Sequence, residues 1–358
     1  AETTTAPETT KQEKTEMETE NSKEKDEYYV EMVGNSFAIQ FCNINVDGAK
    51  AAADELGNVK LNYNASQDSS QVQEQIDILN QAIAKKPDAI LIAAADPDAL
   101  EAQMIKARDE GIPVVAYDIS FNHAPEGALA ATVSTNNEAA AGLAAEKLME
   151  NEAFVEQVKQ ATAEKPMVVS CLAPDAVMTA HEQRINGFTL TLYELLQEYQ
   201  PGAVEITGHT SFEKASENPA AVTIRAEIPP TKADEDIRNQ AQKMINGNDV
   251  AAVFCVNEAS VTALLSATTD GTDLDREKGK YKDLIAIGFD AGKTMKGAVA
   301  SQYFYGAVAQ DPFAMGYEGL KICIDAVNGR EVKNLDAPAV WYDHTNMEED
   351  DIAKILYD

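Results

Sequence analysis

The chain has 358 residues, of which 44% are hydrophobic, and its formal net charge at pH 7 is −31. This length fits two lobes plus a tail better than one typical domain, and the apolar content excludes wholesale disorder. The negative charge argues against nucleic-acid binding, because phosphates need a basic surface, and it disfavours anionic ligands and acidic membranes. No apolar stretch reaches the roughly 18 residues that a membrane-spanning helix needs.

The first 28 residues differ in composition from the rest of the chain. Residues 1–27 consist largely of Thr, Glu and Lys, with 4 Lys against 9 acidic residues, and show no apolar period. Such a segment cannot bury enough apolar surface to fold. Residues 1–28 are therefore expected to be a disordered acidic linker.

From Tyr28 onward, strand-like and helix-like segments alternate, which predicts an α/β fold with parallel sheets and right-handed crossovers. The first set comprises strand 29–33, helix 46–56, strand 59–63, a helix capped by Ser69, strand 89–93, a helix starting at Pro97 and a strand ending before Asp118.

The pattern then restarts near residue 130, which predicts a second lobe of similar make. The second set comprises strand 128–133, helix 136–151, strand 167–172, helix 176–199, strand 222–228, helix 233–245, strand 251–256, helix 259–267, strand 284–289 and helix 292–300. Two further strands, 303–309 and 338–342, flank a helix at 313–327, and two polar stretches, 209–218 and 268–283, are predicted loops.

Four of the apolar runs end on side chains that can hydrogen-bond a hydroxyl. These side chains are Asp118, Asn257, Asp290 and Gln310. In open α/β sheets, ligands lie outside the carboxyl ends of the strands. Two acids and two amides at that edge predict a pocket for a small polyhydroxylated molecule.

Six short motifs follow one another in the chain. They are Asp-Gly-Ala at 47–49, Gly-Ile-Pro-Val-Val at 111–115, Arg-Ile-Asn-Gly-Phe at 184–188, Ala-Val-Phe-Cys-Val-Asn-Glu at 252–258, Ile-Gly-Phe-Asp at 287–290 and Ala-Gln-Asp-Pro at 309–312. Their order and spacing resemble the type I periplasmic solute-binding proteins of sugar ABC transporters, in the ribose- and galactose-binding branch. The resemblance covers roughly residues 29–345.

This resemblance implies two Rossmann-like lobes joined by a three-stranded hinge, with the ligand between them. The first lobe would be 29–131 plus 312–337 and the second 132–311 plus 338–358, with hinge strands at 130–135, 308–312 and 337–342. Family ligand positions carry over to Phe41, Asp118, Arg184, Asn257, Asp290 and Gln310.

The chemistry of these six residues suits a sugar. The two carboxylates accept hydroxyl hydrogens, Arg184 donates from a planar fork, and the two amides both donate and accept. Phe41 offers a flat apolar surface to the C–H face of a sugar ring. Each residue also has a structural alternative: the two Asp and Asn257 as helix caps, Arg184 as a surface residue paired with Glu182, Phe41 as a core residue and Gln310 as an ordinary hinge residue.

Some positions depart from the family pattern. Ribose receptors usually carry an Arg after the first-lobe Asp, where Ile119 stands here, and the paired aromatics of their first loop become Phe41 and Cys42. His181 and Asp175 lie near, but do not match, the His and Asp of galactose receptors. The four cysteines, scattered through apolar or helical contexts, are expected to be buried thiols.

These observations predict an extracytoplasmic receptor that captures a neutral monosaccharide and delivers it to an ABC transporter permease. We expect a monomer without cofactor or metal. We also expect it to be attached to the membrane only through an N-terminal lipid, because the acidic segment resembles the spacer of a Gram-positive lipoprotein whose lipidated cysteine would lie just before Ala1. A periplasmic location is the alternative.

Other functions remain open at this point. The ligand could be a furanosyl autoinducer or a nucleoside, the partner could be a membrane sensor, and the lobes could be the effector domain of a LacI-like regulator. The last would need a basic helix-turn-helix, which the acidic residues 1–27 do not provide. Catalysis is not expected, because the chain carries no HExxH, GxSxG, GxGxxG or GxxxxGK[ST] motif.

Overall fold

The computed structural model describes residues 25–119, 121, 123–247 and 249–357. Most of the linker expected over residues 1–28 lies outside the described residues. Within the described part, strands and helices alternate along the chain and form two sheets, which confirms the α/β class and the two lobes.

The first sheet is built from parallel strands, of which the four central ones are largely buried and the two edge strands are partly exposed. Its strands are β1 (Tyr28–Gly34), β2 (Val59–Ala65), β3 (Ala89–Ile92), β4 (Val114–Tyr117), β5 (Ala131–Thr135) and β12 (Leu335–Ala337), in the order β12-β5-β4-β3-β1-β2. Every neighbouring pair is parallel. The carboxyl ends of β1, β3 and β4 therefore meet at one edge.

The second sheet repeats this design with one antiparallel edge strand. Its strands are β6 (Met167–Leu172), β7 (Val204–Thr207), β8 (Val222–Glu227), β9 (Val250–Cys255), β10 (Ile285–Phe289), β11 (Gly306–Gln310) and β13 (Ala339–Tyr342), in the order β13-β11-β10-β9-β6-β8-β7. Only β13, against β11, runs antiparallel among these described pairs.

Helices cover both faces of the sheets. They are α1 (Gln40–Leu56), α2 (Val72–Ala84), α3 (Glu101–Asp109), α4 (Asn137–Met149), α5 (Glu152–Gln160), α6 (Thr179–Leu196), α7 (Asp234–Asn246), α8 (Glu258–Ala267), α9 (Lys293–Ala300), α10 (Pro312–Val327) and α11 (Asp350–Ala353). Within the described residues, no helix is both long and apolar enough to span a bilayer.

The chain passes between the sheets three times in the described part. It leaves the first sheet after β5, returns after β11 into α10, which packs on α1 and β3, and leaves again between β12 and β13. The second and third passages lie within the predicted hinge segments 308–312 and 337–342, and the first follows directly after the predicted segment 130–135. We propose the two lobes with the predicted bounds, 29–131 with 312–337 and 132–311 with 338–358, except that the pairing of β5 with β4 extends the first lobe to Thr135.

Several details differ from the sequence prediction. Helix α1 begins at Gln40 rather than at residue 46, and Gln71 rather than Ser69 precedes α2. The short strands β7 and β12 and the helices α5 and α11 were not predicted. The four cysteines are buried and free, as expected.

Two helix pairs pack closely because glycine stands at their contact points. A Cβ atom added at Gly48 of α1 would lie 2.0 Å from the Phe313 carbonyl oxygen of α10. In the second lobe, a Cβ atom at Gly187 of α6 would lie 2.2 Å from the Glu138 carbonyl oxygen of α4. Since Arg184 lies one turn before Gly187, this close packing also places a predicted site residue.

Gly187→Ala is therefore expected to destabilise the protein. Backbone atoms cannot move aside cheaply, so we expect the free energy of unfolding to fall by about 1–3 kcal/mol. Gly297→Ala is the matched control: Gly297 is an exposed residue of α9 with nothing within 4 Å of its added Cβ, and the substitution should raise the free energy of unfolding by about 0.5–1 kcal/mol. Urea titration measures both, and equal values for the two variants would contradict the packing argument.

Candidate ligand-binding site

Asp118 and Asp290 occupy equivalent positions in the two lobes. Each follows the last residue of a buried strand, β4 or β10, and has a left-handed backbone, with φ of 63° and 74°. Each backbone N–H donates to the neighbouring strand, to the Val133 and Val308 carbonyls, at 2.9 Å in both cases. Asp tolerates this conformation better than most residues. Neither side chain caps the described helix that follows it, since Asn136 precedes α4 and Gly292 precedes α9.

Arg184 is a buried cation between Asp290 and an aromatic ring. Its guanidinium carbon lies 3.8 Å from the centre of the Phe289 ring, and its Nη1 lies 3.8 Å from Oδ2 of Asp290. Nε donates to Oδ1 of Asn137 at 2.8 Å and Nη1 donates to the Val256 carbonyl at 2.9 Å. The side chain is 7% exposed, so it is not a surface residue.

The charges of Asp118, in the first lobe, and of Arg184 and Asp290, in the second, affect the pKa values of Asp118 and Arg184. Burial lowers the pKa of Arg184, while the carboxylates of Asp290 and Asp118 raise it. Burial raises the pKa of Asp118 to about 7, the Arg184 cation lowers it, and the Asp290 carboxylate raises it further. The structure thus brings Asp118 of the first sheet near Arg184 and Asp290 of the second.

Gln310 joins Asp290 to the hinge. Its Nε2 donates to Oδ1 of Asp290 at 2.8 Å, and its Oε1 accepts from the hydroxyl of Thr135 at 2.9 Å. Thr135 ends β5, before the first passage between the sheets, and Gln310 ends β11, before the second. Gln310 is therefore both a hinge residue and a neighbour of the site.

Asn257 caps a helix and also extends toward the site. Its Oδ1 accepts from the backbone N–H of Ser260 at 3.0 Å, so its Nδ2 faces Nε2 of His181 at 3.1 Å. His181 must then accept through Nε2 and donate through Nδ1 to Asp175, 3.1 Å away. Burial lowers the pKa of His181, which agrees with a neutral ring. One N–H of the Asn257 amide remains for a ligand.

The aromatic residue predicted to contact the sugar is enclosed. Phe41 lies on α1, is 9% exposed, and meets the ring of Tyr357 edge-on at 5.8 Å. Phe37, in the loop after β1, is 40% exposed and packs against Tyr63 at 5.3 Å. Phe41 stays a predicted ligand contact, and Phe37 is a second aromatic candidate at the carboxyl edge.

The sequence prediction missed several polar partners of these residues. Asn137 and Thr135 hold Arg184 and Gln310, but an Asn-Asn pair after a strand indicates only a helix start. Cys42 stands near Asp118: its thiol donates to Oδ1 of Asn35 at 3.1 Å, and burial, followed by the Asp118 charge, raises its pKa to about 12. Cys42 is therefore a neutral thiol at physiological pH.

A family model described as "Periplasmic binding protein domain" matches residues 30–331, most of the chain. The chain belongs to this family. The resemblance to type I solute-binding proteins of sugar ABC transporters is thereby confirmed. Members of the family are binding proteins of transporters rather than enzymes, which confirms that expectation too.

Individual relatives agree with this assignment. The "D-apiose import binding protein" of Actinobacillus succinogenes is 25% identical over 240 residues, 66% of this chain and 68% of that protein. A structure named "ABC transporter, LacI family transcriptional regulator" from Brachyspira murdochii has a TM-score of 0.76 and 27% identity, covering 93% of this chain and 99% of its own. An arabinose-binding protein of Geobacillus stearothermophilus, with 22% identity over 90% of this chain and 99% of its own, shares the fold with a TM-score of 0.69.

The raised pKa of Asp118 predicts a pH-dependent stability in the absence of ligand. The pKa of this carboxyl is ordinarily 3.8, and burial raises it to about 7 in the folded protein. Between these values the folded protein holds a proton that the unfolded chain has lost, so this group makes the free energy of unfolding fall as pH rises. Asp118→Asn removes the titration and should be more stable than the unchanged protein by about 2–4 kcal/mol above pH 7, with little difference near pH 4.

Urea unfolding at pH 4 to 8, without sugar, measures this difference. Asp54→Asn makes the same substitution on the exposed side of α1 and is the control. A constant difference between the Asp118 variant and the unchanged protein across this range would show that Asp118 is not held in a dry, charged environment.

Proposed function

We propose that this protein captures a neutral monosaccharide between its two lobes and delivers it to the permease of an ABC transporter. The observation that carries the proposal is the convergence of Asp118, at a strand end of one sheet, with Arg184 and Asp290 of the other. The effects of Arg184 and Asp290 on the pKa of Asp118, and of both carboxylates on the pKa of Arg184, support one shared gap.

The hydrogen-bonding capacity of the gap suits hydroxyl groups. The bonds described for Arg184 use Nε and Nη1, so Nη2 can donate to a ligand. Oδ1 of Asp290 accepts one bond from Gln310, and the carboxylate retains further lone pairs. Asn257 retains an amide hydrogen. A ligand whose groups each donate and accept at once, as sugar hydroxyls do, fits this mixture.

The charge of the gap favours a neutral ligand. Two carboxylates stand against one guanidinium, and the chain as a whole carries −31, so an anionic ligand would be repelled. Five charge-assisted bonds that each contribute roughly 1.5–2 kcal/mol would sum to near the roughly 8 kcal/mol of a micromolar complex, since the loss of motion on association offsets part of the gain.

The relatives support the sugar and the transporter. The names of the relatives from Actinobacillus succinogenes and Geobacillus stearothermophilus refer to apiose import and arabinose binding. Structures with the same fold were obtained with D-arabinose and D-fucose. We further propose that the chain acts outside the cytoplasm as a monomer and is held to the membrane by a lipid at its N-terminus.

Sugar should stabilise the protein against heat. A ligand at about 100 times its Kd adds about 2.7 kcal/mol to the free energy of unfolding by mass action. Thermal melting with pentoses, hexoses, polyols, nucleosides and furanosyl signals at about 1 mM is the measurement, and we expect at least one neutral monosaccharide to raise Tm by several degrees. If only nucleosides or furanosyl signals raise Tm, the proposed ligand class changes from a monosaccharide to that compound. If no compound raises Tm, the proposal is contradicted.

Asp290→Asn should weaken sugar binding strongly. Asn keeps the shape and tolerates the left-handed backbone, but it removes the charge that accepts ligand hydroxyls and faces Arg184. We expect affinity to fall by about 100-fold, or about 2.7 kcal/mol, in isothermal titration with the sugar that raises Tm most. Asp283→Ala, an exposed residue before β10, is the control. Normal affinity of the Asp290 variant would remove this residue from the site.

A further inference from the structure

The C-terminal segment is anchored in the second lobe. Ile355 is 1% exposed within the apolar cluster that includes residues of β9, β10 and β11, and Ile352 and Leu356 pack against the same cluster. The residue that follows, Tyr357, therefore has a position fixed by packing.

Tyr357 contacts both lobes at once. Its half-buried side chain packs against the apolar cluster of the second lobe and against that of the first. In the first lobe it meets the ring of Phe41, with centroids 5.8 Å apart and planes at 76°, an edge-to-face arrangement. Tyr357 thus bridges the lobes outside the three passages of the chain between the sheets.

The hydroxyl of Tyr357 lies among the charged groups of the proposed site. Burial raises the pKa of Tyr357, the Asp290 carboxylate raises it further, and the backbone of Ala291 lowers it. The phenol in turn acts on Arg184. The hydroxyl therefore remains protonated at neutral pH and offers its donor hydrogen beside Asp290 and Arg184, while its oxygen accepts from the backbone N–H of Ala291.

We propose that Tyr357 is a specificity-determining wall of the sugar site, which limits the ligand to a single sugar ring. This inference rests on the function proposed above. Its ring meets Phe41, and its hydroxyl and the charges of Asp290 and Arg184 act on one another, so the side chain closes one side of the gap that these predicted ligand residues share. A second sugar ring attached on that side would collide with it. Its hydroxyl also offers the ligand a hydrogen bond, and its ring joins the second lobe to Phe41 of the first.

Isothermal titration of two Tyr357 variants tests the proposal. The probes are D-arabinose, D-ribose and D-fucose, each beside its methyl glycosides. Tyr357→Ala should bind the free sugar at least about tenfold more weakly and lose most of its preference for the free sugar over the glycoside. Tyr357→Phe should lose a smaller part of the affinity, about threefold or more, and keep that preference, because the ring remains. Tyr281→Ala is the matched control, since Tyr281 packs against the same cluster but precedes β10 at the opposite edge.

The outcomes separate this inference from the proposed function. If the unchanged protein binds none of these sugars, both fail. If it binds one, and Tyr357→Ala keeps the affinity and the preference of the unchanged protein, only the role of Tyr357 is overturned. Tighter binding by Tyr357→Ala would also overturn it, because the chain end would then be an occupant that the sugar displaces. If the Ala variant does not fold, Tyr357→Phe decides, and unchanged affinity there overturns the role.

Discussion

The burial of the Arg184 guanidinium is the constraint on which the rest of the site depends. A cation removed from water needs opposite charge and hydrogen-bond acceptors around it. Arg184 finds them in Asp290, in Asn137, in the Val256 carbonyl and against the ring of Phe289. In return its charge lowers the pKa of Asp118, which burial and the Asp290 carboxylate raise. The pKa of Asp118 is nevertheless raised to about 7, because the effect of burial exceeds that of the Arg184 charge.

Hydrogen bonds also connect the site to the hinge, where the chain passes between the two sheets. Asp290 bonds to Gln310, Gln310 bonds to Thr135, and Arg184 bonds to Asn137. Thr135 and Asn137 flank the first passage between the sheets and Gln310 precedes the second. A ligand that contacts Asp118 and Asp290 together would therefore favour one relative position of the lobes through direct bonds to the hinge, which is the requirement for hinge closure on a ligand.

Much of this arrangement could be predicted from the sequence, because buried parallel strands are short apolar runs and their ends carry the ligand residues. Asp118, Asn257, Asp290 and Gln310 are such strand ends. The burial of Arg184 could not be derived from helical spacing, since it depends on the close approach of α4 and α6 at Gly187. Tyr357 was not predicted for the same reason, since only tertiary packing brings it close to Phe41. Helix α1 began earlier than its apolar pattern indicated, and this placed Phe41 inside a helix rather than a loop.

The central claim is that acids from opposite lobes hold the same ligand. A crystal structure of the protein with a bound monosaccharide tests it most directly. The account predicts one sugar ring whose hydroxyls lie within hydrogen-bond distance, about 2.5–3.2 Å, of the Asp118 and Asp290 carboxylates at once. A sugar bound outside this gap, or held by only one of these two residues, would contradict it.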